Sequence, residues 1–190
     1  MARKTSLREF QQNVAQRIRD LASQKSSASK LGFQVGTENW LVNLADVSEV
    51  IPVPTTATVP LTQPWFRGVA NIRGKLSSVV DFCSFQGGPA IGSGTERRVI
   101  LIAERLLEGS GLLVNRMLGL RNPEHFTIET VTHSSVRPWV KATYRDLADA
   151  QWLELDIAAL VVDLRFLEVG TLATAALPLQ TGVSTLSHQA

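Results

Sequence analysis

Two hydrophobic periods divide this chain. Leu7, Phe10, Val14, Ile18 and Leu21 recur at steps of three, four, four and three, one apolar stripe of a helix. Ser6 with Glu9 three residues on forms a capping-box pattern at its start. Gln24 to Lys30 reads as a Ser/Lys-rich linker. From Leu31 the period drops to two. Leu31 to Val35 alternates, Gly36 to Asn39 is a turn, and Trp40 to Leu44 is a second strand, together a β-hairpin. Asp46 to Ile51 follows, until Pro52 and Pro54 break any regular element.

The stretch from Pro60 to Phe82 is the most organised. Pro60 and Pro64 bracket a turn that delivers Trp65-Phe66. Gly68 to Ile72 is a strand, Arg73-Gly74 a tight corner, and Lys75 to Phe82 the returning strand. Asn71 and Gly74 flank Arg73, and both residue types tolerate the positive φ of hairpin turns. An arginine held there projects outward with no acid, base or nucleophile beside it, which suits recognition better than catalysis.

Further on, Gly87 to Gly94 is a flexible connection without phosphate-loop spacing. Arg98 to Ala103 and Gly111 to Asn115 are buried-looking strands, and Arg116 to Leu120 either extends the latter or pairs beside it. His125 to Val136 is loop-like with a short strand at Phe126 to Val131, and Val136 to Asp149 holds a further strand or an exposed loop. Trp152 to Asp156 is a last strand, with Asp156 placed to N-cap a short helix. Thr171 to Ala190 has no charged residue and no period, and reads as a poorly ordered tail. Trp40 and Trp152 are expected in the core; Trp65 and Trp139, beside prolines, are expected at the surface. Turn signals every ten residues or so argue for a small barrel or sandwich.

Composition narrows the chemistry. The 190 residues are 44% hydrophobic, enough for a core without staples, and the lone Cys83 excludes an internal disulfide and points to a reducing compartment. No apolar run approaches the ~18 residues of a membrane span, and the basic N-terminus lacks the apolar region of a signal peptide. The isoelectric point near 9.0 raises nucleic acid as a partner. Residues 1–30, however, hold seven basic against two acidic groups, net +5, and the rest 12 basic against 15 acidic, net −3. No basic stripe remains for phosphates to follow. His125, His133 and His188 lack metal-ligand spacing, Ser77-Ser78 lacks a nucleophile elbow, Cys83 has no activating partner, and Asp81 ends a strand where a carboxylate caps amides. These residues offer no active centre. A small β-barrel binding a ligand or nucleic acid is the rival reading, but aromatic platforms interleaved with Lys or Arg are missing.

The run Gly68-Val-Ala-Asn71-Ile-Arg73-Gly74, followed by Val79-Val80-Asp81-Phe82, resembles the G-x-x-N-[LI]-R-G…V-[IV]-D-[LF] signature of the CheW-like family of coupling proteins. Val47-Ser-Glu49-Val50 resembles its V-x-E-[IV] element, Gly111 to Asn115 its G-[LI]-x-V-D segment, and Trp152 to Leu160 its last strand and helix. The resemblance spans about residues 31–168 and is nearest to the PilI-like twitching-motility branch. It implies a mainly β fold, two small five-stranded SH3-like barrels sharing an apolar core, with an N-terminal amphipathic helix and a short C-terminal helix. The implied domains are a helix and linker (1–30), a CheW-like domain (31–170) and a tail (171–190).

In function the resemblance implies a non-enzymatic adaptor without cofactor or metal, coupling methyl-accepting chemoreceptors to a CheA-like histidine kinase in chemotaxis or twitching motility. Its implied partners are the kinase regulatory domain and the receptor's helical hairpin tip, with no nucleic acid and no membrane insertion, at cytoplasmic receptor arrays. Val47, Glu49, Gly68 and Arg73 fall on motif positions associated with partner contact. Two residues depart from the pattern: Ser78 stands where the family usually has proline, giving the strand an extra backbone donor, and Asn115 stands where it usually has aspartate, which puts a partner contact in doubt.

Overall fold

The computed structural model describes residues 30–130 and 136–171. The expected N-terminal helix, the tail from residue 172, His133 and His188 lie outside the described residues.

Eleven strands form two sheets among the described residues. The hairpin β1 (Lys30–Val35) and β2 (Glu38–Asn43) appears where the alternation places it, in register Phe33↔Trp40. β3 (Val47–Pro52), β4 (Phe66–Ile72), β5 (Lys75–Asp81), β6 (Arg98–Ile102) and β7 (Ser110–Val114) then build a five-stranded sheet in the order β3-β6-β7-β5-β4. β8 (Arg116–Arg121), β9 (Phe126–Thr130), β10 (Val140–Asp146) and β11 (Gln151–Leu155) return to the first hairpin and complete a six-stranded sheet, β8-β1-β2-β11-β10-β9. The five-stranded sheet is thus drawn entirely from residues 47–114 and inserted between β2 and β8.

The fold is mainly β with two small sheets, as expected, but one sheet holds six strands rather than five. The difference arises at Asn115. Arg116 to Leu120 neither extends β7 nor pairs beside it, because the chain crosses to the other sheet. The Asn115 amide donates to the Gln34 carbonyl (3.0 Å), and its side-chain Oδ1 accepts from the Gly36 amide (2.7 Å). Both bonds tie the crossing point to the β1–β2 turn, so the next residues pair with β1.

Both sheets are rolled. Six flat strands spaced about 4.8 Å would set edge strands β8 and β9 ~24 Å apart. Only Asn122 to His125 joins them, Pro123–His125 being wound into a 3-10 turn. Even fully extended, that link spans roughly 17 Å. In the five-stranded sheet, Ala57, beyond β3, exchanges two hydrogen bonds (2.7 and 2.9 Å) with Val69 of the opposite edge, β4.

One apolar core serves both sheets. Phe33, Trp40 and Val42 from the first hairpin share it with Val79, Val99 and Leu112 of the other sheet. Helix α1 (Phe82–Phe85) lies at the junction, its start capped by the fully buried Asp81, which accepts from the Ser84 amide (3.0 Å) and the Ile91 amide (2.8 Å). Asp81 is therefore a structural cap. Two short helices close the described chain, α2 (Ile157–Val161), N-capped by Asp156, and α3 (Leu164–Leu167).

Trp40 and Trp152 are buried, as their setting suggests. Trp139 is buried too, contrary to expectation, at 2% exposure. Its ring meets Phe85 at 4.9 Å, and Phe85 in turn meets Trp65 and Phe166, each at 5.3 Å. Pro138 sets the local backbone, but the aromatic cluster beneath decides where the ring goes. Each such burial is worth about 1.5–3 kcal/mol.

Candidate recognition site

The corner between β4 and β5 contains two residues, Arg73 and Gly74, with Ile72 paired to Lys75. Both have positive φ, +53° and +84°, the pattern of a type I′ hairpin turn whose twist matches its strands. Asn71 stays on the strand, and its side chain accepts from the Gly74 amide (2.8 Å). Gly74 thus takes the positive φ expected of it, and the other left-handed residue is Arg73 itself rather than Asn71.

Arg73 is the most outward of the four expected residues, its side chain 77% exposed. Its Nη2 donates to Glu49 Oε1 at 2.7 Å. Glu49 sits on β3, the far edge of the same sheet, so the pair reaches across the open side of the roll. Val47 lies two residues before Glu49, at a bulge in the β3–β6 pairing, half-buried against the core. These three residues share one end of the sheet.

Gly68 does not join them on the surface. It is buried at a second bulge with φ +114°, and a Cβ there would stand 2.1 Å from the Ala57 carbonyl oxygen. The close approach that a glycine permits is made by the chain's own Ala57, so Gly68 shapes β4 from beneath.

A shallow groove beside Arg73 and Glu49 is floored by Ile72, Leu101 and Ile102. On its rim Lys75 Nζ bonds Glu104 (2.6 Å) and Glu108 (3.0 Å), which hold its ammonium above the ordinary lysine range. Sequence reading missed Lys75, Glu104 and Glu108, because only the sheet pairing brings residues 75 and 104–108 together.

The departures from the family pattern have internal explanations. Ser78 uses its amide to bond the Gly109 carbonyl (2.8 Å), a donor that proline would lack, and its hydroxyl lies 3.2 Å from Ser110 Oγ. Asn115 caps the β1–β2 turn, a contact within the chain. Cys83 is buried, and burial, with the charges of Asp81 and Glu38, pushes its thiol up, away from a reactive thiolate. Among the described residues no three His, Cys, Asp or Glu side chains gather as metal ligands, and no helix is long and apolar enough to cross a membrane.

Two rolled sheets thus share one core, with an arginine displayed at a rigid corner. The chain belongs to the CheW-like domain family, a family of coupling and scaffold proteins, whose model matches residues 30–165. It is 29% identical over 149 residues to Protein PilI of Pseudomonas aeruginosa, covering 75% of this chain and 80% of that one. Chemotaxis protein CheW of Rhizobium meliloti is 32% identical over 85 residues, covering 45% of this chain and 54% of that one. The crystal structure of the scaffolding protein TtCheW from Thermoanaerobacter tengcongensis shares the fold with a TM-score of 0.57 at 20% identity, covering 68% of this chain and 89% of that one.

Proposed function

We propose that this chain is a non-enzymatic adaptor that couples methyl-accepting chemoreceptors to a CheA-like histidine kinase, in the branch that serves type IV pilus twitching motility. The observation that carries this reading is the family match across both sheets, from residue 30 to 165. The similarity to Protein PilI over most of both chains supports the twitching branch. The adaptor acts in the cytoplasm, at receptor arrays. Its contacts are the kinase regulatory domain and the receptor's helical hairpin tip, and Arg73, Glu49 and Val47 form part of the contact surface, with Gly68 holding β4 in shape.

Arginine suits this role because its planar fork makes several hydrogen bonds while its stem packs. Glu49 orients it without burying it. Pull-down of the cognate kinase and receptor fragment tests the reading. Arg73→Glu is expected to cost about 2 kcal/mol or more in partner binding, roughly thirtyfold in affinity. The exposed pair with Glu49 contributes at most ~1 kcal/mol to folding, so circular dichroism should show an intact fold. Undiminished capture of both partners by the folded variant would refute the role given to Arg73.

A further inference from the structure

A strip of apolar side chains stands in solvent at one end of the six-stranded roll. Leu147 is 85% exposed, Leu120 65% and Ile128 58%. Leu147, at the β10–β11 turn, and Leu120, on β8, line one groove whose walls include Arg121, His125 and Phe126. Ile128 lies two residues from Phe126 and so on the same face of β9. Exposed apolar patches rimmed by polar groups mark contact sites.

The described part of the chain begins beside this groove. In β1 the first paired residue, Lys30, sits opposite Arg121 of the groove wall. Lys30 is also pinned. Its Nζ lies 2.5 Å from Glu154 Oε1 and 5.5 Å from the centre of the Tyr144 ring, and Tyr144 packs edge-on against Phe126 of the groove wall.

We propose that this groove seats the chain's own residues 7–21, with Leu7, Phe10, Val14, Ile18 and Leu21 covering Leu120, Phe126 and Leu147. The nine residues from Leu21 to Lys30 can span up to ~30 Å, ample for a seat that begins beside Lys30. Residues 1–30 carry net +5. The groove lining combines Asp146 with Arg121, and two further carboxylates lie next to it, Glu124 bonded to Asn122 and Asp149 in the β10–β11 turn bonded to Arg145. The segment is then a built-in cover for an apolar surface of its own domain.

Initial rates of trypsin cleavage after Arg8, Arg17 and Arg19 in the full chain test this by mass spectrometry, with Lys25 in the linker as reference. Leu147→Asp alters only an exposed side chain. It should speed those three cleavages roughly tenfold, whereas Leu76→Asp, also at an exposed leucine but on β5, should leave them unchanged. Equal rates in wild type and Leu147→Asp overturn the proposal. So does an effect of Leu76→Asp as large as that of Leu147→Asp. Protection in the wild type that grows with protein concentration also overturns it, assigning the groove to a second copy of the chain.

Discussion

Arg73 occupies a backbone conformation that glycine or asparagine adopts more cheaply. At φ +53° a side chain with a Cβ costs about 1–2 kcal/mol relative to glycine, and nothing in the core gains from the guanidinium. In the proposed adaptor role that cost is offset by contact with a partner, for which the 77% exposed side chain is available. The Arg73→Gly variant separates the two sides of this argument. Relief of strain should leave the urea midpoint unchanged or higher, offsetting the lost Glu49 pair, while kinase and receptor capture falls as in Arg73→Glu. A variant that loses stability and binding together would make Arg73 a structural pin.

At the scale of elements, the decisive residue is Asn115. Its side-chain oxygen caps Gly36, and the crossing it fixes decides which sheet receives β8. An aspartate carboxylate accepts the same hydrogen bond. Asn115→Asp should therefore shift stability by no more than ~0.5 kcal/mol at neutral pH, whereas Asn115→Ala should cost about 1 kcal/mol, both read from urea denaturation. Hairpins, caps and the Arg73-Gly74 corner were legible in the sequence because each depends on neighbours within a few residues. The crossing at Asn115 was not, since its partners Gly36 and Gln34 lie 79 and 81 positions away. The same holds for Trp139, whose burial depends on Phe85, and for Gly68, whose close contact is with Ala57 rather than a partner. Arg73 and Glu49 were found by motif, yet their mutual contact appears only once β3 and β4 become opposite edges of one rolled sheet.

For the whole molecule, the buried charge inside the six-stranded roll sets a pH limit. Burial pushes the Glu154 carboxyl up, but hydrogen bonds from Lys30 and Tyr144 and the charges of Lys30 and Lys141 outweigh it, leaving the net direction down from 4.5. Asp146 is also held low, chiefly by the Trp152 indole hydrogen bond, and Asp163 by Arg165. A carboxyl lowered in the folded state stabilises it above the unfolded pKa, and that contribution is lost as pH falls through the folded one. Urea midpoints should therefore be flat above about pH 5 and decline below pH ~4.5, with a shallower decline in Glu154→Gln. An equal slope in that variant would remove Glu154 from the account.

The insertion of one sheet into the other also fixes an order of events during synthesis. Residues 47–114 contain every strand of the five-stranded sheet, so its ladder can close while the remainder of the chain is still being made. The six-stranded sheet cannot follow suit. β2 pairs in parallel with β11, Trp40 with Leu153, and that partner emerges only after more than a hundred further residues. Such distant pairing is the slow kind, and until it forms β2 presents an unsatisfied strand edge. On a ribosome, the half of the molecule that carries Arg73 is finished first, and the half that begins the chain is finished last.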